Sequence, residues 1–355
     1  LKYALGGALT GASEAIASMP ERWRACLAGT GELDLRGLEP LCEDNLLFAD
    51  GSALGRFTTF FASKALQGRI RRLEPEHWPE ALSGCTGWVY ALNDLVLDTR
   101  ALIDKLAAGL QQPPYRYALQ ANEIRSDPGG WTLNLAGEPL FCRELVLCAG
   151  EGNEALLNGL GADSPRMQRR GLRQVIVRGE QLTPLYGHCL TGIRSSEPRL
   201  TITSHQDGDG WIWYLGGQLA GADADISKQA LCDFARQELR ECLPWLSFDS
   251  AEFSVLDINR AEVASAGQRP DQFFVRRTTA RQSTDQAPER PGAIVCWPTK
   301  LTLAPAAADQ VLELMADGSK DQPRGNQNHA MPAQLNRPIA RSGLPRWANH
   351  QSNPR

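Results

Sequence analysis

The 355-residue sequence lacks the short motifs that mark several common catalytic sites. It contains no G-x-x-x-x-G-K-[ST] phosphate loop, no H-E-x-x-H metal motif, no G-x-S-x-G nucleophile turn and no EF-hand loop. Its five histidines are widely separated, and His188 stands directly before Cys189, where chain neighbours rarely adopt a catalytic geometry. These absences argue against P-loop nucleotide hydrolysis, zinc-protease chemistry and a local nucleophile site.

The sequence also lacks an excess of positive charge and a long apolar run. Lys and Arg number 37 against 41 Asp and Glu, which gives a formal net charge of -4. Nucleic-acid-binding proteins usually have a basic face, so we predict no nucleic-acid partner. No run reaches the roughly 18 apolar residues of a membrane span, and residues 1–19 do not have the pattern of a signal peptide. We therefore predict no membrane span.

Nine cysteines are spread along the chain without a C-x-x-C pair. Disulfide frameworks are typical of short secreted chains, and zinc sites need ligands at close spacing. An odd number of separated cysteines instead predicts reduced, mostly buried thiols, no metal site and a cytoplasmic location.

Hydrophobic patterns predict strands of two kinds. A strand is predicted at 140–148, and the continuous apolar run within 144–149 is typical of a parallel strand that helices cover on both faces. Further along, several strands with only one long helix between them, at 227–243, indicate a mixed or antiparallel sheet. Earlier segments at 32–38 and 115–123 are also predicted to be strands.

Helical spacing of apolar residues predicts several further helices. Asp98 is expected to cap one of them, because its carboxylate can accept from the free N–H groups of the first turn. The predicted segments are 8–27, 57–66, 99–110, 153–160 and 306–315.

A glycine motif follows the predicted buried strand. Gly150 and Gly152 begin a match to G-x-G-x-x-[GA] that ends at Ala155 and opens a helix, where a backbone can approach a phosphate closely. No acidic residue stands about 20 residues further on, as an independent NAD-binding unit requires. Close approach to a cofactor and a tight turn without a ligand both remain open for this segment.

A lysine and a group of arginines are candidates for binding an anion. Lys300 lies between a predicted strand end and a helix start, where it adds to the positive end of the helix dipole, although it could equally be a surface lysine. Arg260 ends one strand, and Arg276 and Arg277 lie in another. Such arginines can bind a substrate carboxylate or phosphate through two parallel hydrogen bonds, or pair with neighbours such as Glu262.

The order of these segments resembles the D-amino-acid-oxidase/glycerol-3-phosphate-dehydrogenase-like FAD oxidoreductases. VLDTR at 96–100 is similar to the segment before that family's substrate domain, and LVLCAG at 145–150 resembles its strand and turn near the flavin. WIWYLGG at 211–217 is similar to a glycine-ended strand of the substrate sheet, and TLAP at 302–305 to the closing segment. The resemblance spans residues 1–316.

The resemblance implies an α/β fold with an α+β substrate part. An incomplete Rossmann-like FAD/NAD(P)-binding layer is expected to accompany a mixed antiparallel substrate-binding sheet. The expected boundaries are 1–165 for the remainder of the FAD-binding domain, 166–290 for the substrate-binding domain, 291–317 for a return to the FAD-binding domain and 318–355 for a flexible tail.

The resemblance also implies FAD as the cofactor, with oxidation of a C–N or C–O bond of a small amine, amino acid or hydroxy acid. The partner is then a small-molecule substrate, and the electron acceptor stays open. Lys300 is expected near the pyrimidine edge of the flavin and Arg260 at the substrate's anionic group, and both are the expected catalytic residues. The expected cofactor-binding residues are Ala149, Gly150, Gly152, Trp297, Thr299, Lys300, Leu301 and Thr302.

The sequence departs from the family pattern at two places. The family begins with a strand, G-x-G-x-x-G and a helix for the ADP half of FAD, and this sequence has no such motif before 8–27, so an N-terminally truncated chain is expected. The loop before TLAP is usually rich in glycine, but here it reads WPTKL at 297–301. A non-catalytic remnant that binds or assembles without FAD is therefore an alternative, as is an NADP-linked reductase built from Gly150.

Overall fold

The computed structural model describes residues 11–50, 70–112, 114–115, 117–127, 129–162, 165–190, 198–221, 226–265, 270, 272–278, 292–297 and 300–318. The chain divides into two compact units. The first unit comprises Leu1–Glu14, Arg36–Leu102 and Gly171–Asn259. The second unit comprises Ala15–Leu35, Ile103–Arg170 and Arg260–Arg355.

Helices and strands alternate irregularly along the chain. The helices are α1 (Gly11–Leu27), α2 (Thr99–Ala108), α3 (Gly152–Gly159), α4 (Lys228–Cys242) and α5 (Ala304–Gly318). The strands are β1 (Asn45–Ala49), β2 (Ile70–Leu73), β3 (Trp88–Leu92), β4 (Ile124–Asp127), β5 (Gly130–Leu135), β6 (Glu138–Cys142), β7 (Val146–Leu147), β8 (Met167–Arg178), β9 (Gly187–Cys189), β10 (Leu200–Asp207), β11 (Gly210–Gly216), β12 (Glu252–Val263), β13 (Phe274–Arg277) and β14 (Ile294–Trp297).

A sheet of eight strands, in the order β12-β8-β11-β10-β9-β1-β3-β2, lies mostly in the first unit. Strand β1 pairs parallel with β9 and antiparallel with β3, whereas β10 pairs antiparallel with β9 and β11. The predicted mixed sheet is therefore confirmed.

Helix α4 packs against this sheet. The hydroxyl of Ser227 accepts a hydrogen bond from the backbone N–H of Ala230 at 3.1 Å, which caps the helix start. Its apolar stripe is fully buried in the same core as Phe48 and Trp213, because side chains four residues apart share one helix face. The buried residues of that stripe are Leu231, Ala235 and Leu239.

The second unit contains a three-stranded sheet in which β14 pairs parallel with β7 and antiparallel with β13. Alternate residues of β14 point to opposite faces. Ile294 and Cys296 pack in a core with Ala307 of α5, whereas Val295 and Trp297 pack in another core with Leu157 of α3. Strand β7, within the run predicted to be buried, likewise has Val146 packed against the first core and Leu147 in the second, so the Rossmann-like layer is confirmed.

Helix α1, which belongs to the second unit from Ala15 onward, is bonded to residues much later in the chain. The guanidinium of Arg22 donates to both carboxylate oxygens of Asp309 on α5, at 2.6 and 2.8 Å. The indole Nε1 of Trp23 donates to the carbonyl oxygen of Thr302 at 3.1 Å. These contacts join residues that lie more than 270 positions apart in the sequence (279 and 287).

Three predicted strands differ from the structure. The segment 32–38 forms turns, with Gly37 at φ +84°, so its buried Leu35 and Leu38 belong to no strand. The segment 115–123 ends in a 3₁₀ helix, Ala121–Glu123, because the carboxylate of Glu123 accepts from the backbone N–H of Gln120 at 2.7 Å. The segment 140–148 is interrupted and forms β6, which belongs to an antiparallel β4-β5-β6 sheet, and β7.

The predicted helices agree better with the structure. Asp98 Oδ1 accepts from the backbone N–H of Ala101 at 2.8 Å, which confirms the predicted cap of α2. The helix predicted at 57–66 lies outside the described residues, as does the predicted tail beyond Gly318. Within the described part of the chain, no helix combines the length and apolar character that a membrane crossing requires.

Candidate functional site

The parallel strands β7 and β14 end at the same edge of the second unit's sheet. Ile294 pairs with Val146 and Val295 with Leu147, so the two strands run side by side in the same direction. Ligands of open α/β sheets bind outside the carboxyl ends of such strands. The connection from β7 to α3, residues 148–151, is called the β7 turn below. Residues 300–303, the described part of the connection from β14 to α5, are called the β14 turn.

Gly150 and Trp297, both predicted to bind the cofactor, are in direct contact. The indole Nε1 of Trp297 donates to the carbonyl oxygen of Gly150 at 3.1 Å. Trp297 is 1% exposed, and Gly150 has φ +59°, a conformation that favours glycine. The end of β14 therefore holds the β7 turn in place.

Asn153 joins the same two elements from inside the unit. Its side-chain Oδ1 accepts from the backbone N–H of Ala149 at 2.8 Å, and its Nδ2 donates to the carbonyl oxygen of Cys296 at 3.1 Å. The side chain is 0% exposed, so both hydrogen bonds form away from water. Asn153 was not among the residues predicted to form the site. The only signal was a polar residue in the first turn of the helix that follows the glycine motif.

A pair of thiols lies at the same edge. The side chains of Cys148 and Cys296 are hydrogen-bonded to each other. Cys148 is exposed and Cys296 is buried. The hydrogen bond from Cys296 lowers the pKa of Cys148 to about 7, whereas the same contact and burial raise the pKa of Cys296. The prediction of mostly buried thiols gave no indication of this pair.

The β14 turn contains the other predicted residues. Half-buried Lys300 precedes the 3₁₀ helix Leu301–Leu303, and its carbonyl oxygen accepts from the backbone N–H of Leu303 at 3.0 Å. Thr302 is anchored through its carbonyl oxygen to α1, as described above. The side chain of Leu301 is 46% exposed. Thr299 lies outside the described residues.

Arg260 lies on β12, away from these two turns in the chain but in the same unit. Its neighbours Ala261 and Val263 pack against the core that contains Trp297, so strand alternation places Arg260 on the opposite face, with Glu262. Glu262 is 3% exposed and accepts from Arg170 at 2.7 Å. Substrate binding by Arg260 stays a prediction.

Arg277 is held in place by hydrogen bonds to its neighbours. Its guanidinium donates to both carboxylate oxygens of Glu144, at 2.8 and 3.0 Å. It also donates to the carbonyl oxygens of Gly292 at 2.8 Å and Leu314 at 2.7 Å. These four acceptors occupy the guanidinium, so the salt-bridge interpretation of this arginine is the one that the contacts favour.

The edge fits a ligand that combines a flat ring with negative charge, as FAD does. Among the residues that the structure describes, no atom lies within 4 Å of a Cβ built on Gly150, so these residues leave the backbone accessible here. Helix α3 begins at Gly152 and presents its positive end to the β7 turn. In the β14 turn, Lys300 offers positive charge and exposed Leu301 an apolar surface. Among the described residues, no group of three or more His, Cys, Asp or Glu is placed to hold a metal ion.

Comparisons with known proteins agree with this interpretation. A protein-family model described as "DAO: FAD dependent oxidoreductase" matches residues 10–314. The chain is 41% identical, over 350 residues, to the probable FAD-dependent oxidoreductase PA4991 of Pseudomonas aeruginosa, and the match covers 95% of this chain and 83% of that protein. The crystal structure of PA4991 superposes with a TM-score of 0.73 at 36% identity, covering 96% of this chain and 84% of that one.

More distant solved structures share the fold. Glycine oxidase from Geobacillus kaustophilus has a TM-score of 0.51 at 16% identity, covering 89% of this chain and 82% of that chain. Iminodiacetate oxidase from Chelativorans sp. BNC1 has a TM-score of 0.54 at 14% identity, covering 91% and 85%.

Proposed function

Because the chain belongs to the DAO family of FAD-dependent oxidoreductases, we propose that it oxidises a C–N or C–O bond of a small amine, amino acid or hydroxy acid. The observation that supports this most directly is the carboxyl edge of β7 and β14. Both chain connections at this edge contain residues that suit a flavin, and Trp297 and Asn153 fix their relative position. FAD, when bound, accepts a hydride from the carbon next to the nitrogen or oxygen of the substrate.

The chain's own residues would bind and orient the cofactor. We assign the backbone at Ala149, Gly150 and Gly152 to close approach by the cofactor, since at Gly150 no atom of a described residue lies within 4 Å of a Cβ built there. Lys300 supplies a positive charge that stabilises negative charge on a reduced ring. Trp297, Leu301 and Thr302 complete the proposed contacts, and Thr299 belongs to the same proposed set. Asn153 acts as a positioning residue, because it holds the backbone of both strand ends.

Arg260 is proposed to bind the anionic group of the substrate through two parallel hydrogen bonds. Glu262, on the same face of β12, accepts from Arg170 and from Gln168, each at 2.7 Å, so its negative charge already has partners. The domain boundaries predicted from the sequence, at 165/166, 290/291 and 317/318, and a cytoplasmic location are parts of the same proposal. All nine cysteines are free thiols, which supports that location.

The first experiment is an absorption spectrum of the purified full-length protein, followed by anaerobic addition of substrates. We expect flavin absorbance and its bleaching by one class of compound. The names of the distant neighbours supply the first compounds, glycine and iminodiacetate, and simple amines and hydroxy acids complete the panel. A protein that cannot be loaded with FAD would contradict the proposal and support a non-catalytic remnant.

The substrate role of Arg260 is tested separately with Arg260→Lys. This change keeps the charge but removes the two-pronged geometry, so we expect a raised KM with little change in kcat. Arg276→Lys is the matched control, because Arg276 lies on β13 of the same unit with its guanidinium over the ring of Phe274. Equal effects of the two changes on KM would assign Arg260 a structural role.

A further inference from the structure

The thiols of Cys148 and Cys296 form a pair that the proposed oxidation does not use. The parallel register pairs Ile294 with Val146 and Val295 with Leu147, and Cys296 and Cys148 are the next residues of the two segments. Neighbouring strands lie about 4.8 Å apart. A disulfide needs Cα atoms roughly 4.4–6.8 Å apart, and residues opposite each other on neighbouring strands fall within this range.

The two side chains also lie on one face of the sheet. Val146, Ile294 and Cys296 pack in the core beneath α5, whereas Leu147 and Val295 pack on the other side. Alternation along β7 then places Cys148 on the same side as Cys296, which agrees with the hydrogen bond between the two thiols.

One member of the pair is accessible and the other is protected. Cys148 is exposed, so a dissolved oxidant can reach it, and Cys296 is buried directly beside it. This combination of an attacking thiol and an adjacent resolving thiol is typical of redox-sensitive cysteines. The lowered pKa of Cys148 supports this, because the thiolate is the form that reacts with an oxidant.

We propose that Cys148 and Cys296 are a modification site, at which hydrogen peroxide oxidises the two thiols to a reversible disulfide that lowers the activity of the adjacent candidate site. The Cys148 thiolate attacks the peroxide, an S–O bond forms, the O–O bond breaks, and hydroxide leaves as water after taking a proton. The Cys296 sulfur then attacks the oxidised sulfur, an S–S bond forms, the S–O bond breaks, and a second water leaves. Two thiols are oxidised by two electrons, and the peroxide is reduced to two waters.

The disulfide would act on the β7 turn. Cys148 directly precedes Ala149, whose N–H is held by Asn153, and Asn153 also holds the carbonyl oxygen of Cys296. A covalent link would draw the two sulfur atoms from hydrogen-bond distance to about 2 Å, and we expect this movement to shift the network and with it the backbone at Gly150. The effect of the disulfide on activity rests on the proposed function, whereas disulfide formation itself does not depend on it.

A second thiol pair provides an internal comparison. Cys189 and Cys242 of the first unit are also hydrogen-bonded to each other, but both are 0% exposed. Burial and this contact raise the pKa of Cys242, so its thiolate is scarce. We expect this pair to remain reduced under conditions that oxidise the first pair.

The test treats reduced full-length protein with hydrogen peroxide, blocks free thiols by alkylation, and maps disulfide peptides by mass spectrometry. We expect a peptide that links Cys148 with Cys296, its loss on treatment with dithiothreitol, and its absence from Cys296→Ser. Cys142→Ser is the matched control, since Cys142 is half-buried in the same unit, and it should form the disulfide normally. If Cys296→Ser does not fold, Cys148→Ser at the exposed position replaces it.

The second arm compares substrate turnover before and after peroxide within each variant. We expect a several-fold, dithiothreitol-reversible loss in the wild type and none in Cys296→Ser. Oxidation of Cys148 beyond the disulfide stage without a Cys148–Cys296 peptide would overturn the proposal, as would a disulfide that leaves turnover unchanged. If the protein turns over no substrate, the proposed function fails, and the peptide map alone still decides whether the modification site exists.

Discussion

The indole Nε1 of Trp297 lies 3.1 Å from the carbonyl oxygen of Gly150, and this hydrogen bond joins the ends of two parallel strands. Trp297→Phe keeps an aromatic ring but leaves that carbonyl without its donor. We predict a loss of about 1–3 kcal/mol in the free energy of unfolding, measured by urea titration, together with weaker FAD binding.

Trp245→Phe is a matched control for this change. The indole of Trp245 donates to the carbonyl oxygen of Ala81 at 2.9 Å in the first unit, so a similar bond is lost far from the candidate site in the sequence. We expect a similar loss of stability with unchanged FAD affinity. Equal effects of the two changes on FAD affinity would contradict a specific role for Trp297.

Asn153→Ala removes both hydrogen bonds that this side chain makes inside the second unit. A backbone N–H at Ala149 and a carbonyl at Cys296 then lose their partners, so we predict destabilisation by about 2–4 kcal/mol. Asn158→Ala, at an exposed position of the same helix, should change stability by less than about 0.5 kcal/mol. A loss no larger than that of Asn158→Ala would show that the amide does not organise the edge.

Lys300→Gln is expected to remove a positive charge from the proposed flavin site. We predict turnover lower by about tenfold, equivalent to roughly 1.4 kcal/mol, and a lower midpoint potential of the bound FAD. Lys300→Arg should restore most of both values. Lys105→Gln, on α2 of the same unit, is the control and should leave both near wild type. If Lys300→Arg does not restore turnover and midpoint potential, the positive charge at this position is not responsible for either value.

Alkylation of Cys148 by iodoacetamide should depend on pH. The thiolate is the reactive form, and the lowered pKa predicts that the rate rises to half its maximum near pH 7. In Cys296→Ala the hydrogen bond is lost, so the midpoint should rise towards the value of about 8.5 for a free cysteine. A midpoint that is the same in both proteins would show that Cys296 does not activate Cys148.

The strands, turn and helix around the site could be predicted from the sequence better than the side-chain contacts between them. The apolar run at 144–149 contains the short strand β7, and Gly150 and the helix predicted at 153–160 agree with the observed turn and α3. Local patterns suffice here, because a buried strand, a positive-φ glycine and a helix start each have their own residue preferences. The strands predicted at 32–38 and 115–123 were wrong, because a glycine turn and a local Glu123–Gln120 hydrogen bond compete with extension.

Contacts between distant segments could not be predicted in this way. Asn153 and Cys296 lie 143 positions apart, and nothing in the spacing of either residue indicates the other. The thiol pair depends on the parallel register of β7 with β14, which is a property of the folded sheet. Such pairings depend on the topology of the folded sheet, so they could not be predicted from a single sequence.

The ion pair between Arg22 and Asp309 has a consequence for how the protein is made. The two residues lie 287 positions apart. At about 5–20 residues per second, a ribosome takes roughly 15–60 s to synthesise the chain between them. During that time α1 has emerged without Thr302 and Asp309, the residues to which Trp23 and Arg22 are bonded. The contacts of α1 within the second unit can therefore be completed only after residue 309 has been synthesised, and until then α1 is a segment that a chaperone could protect.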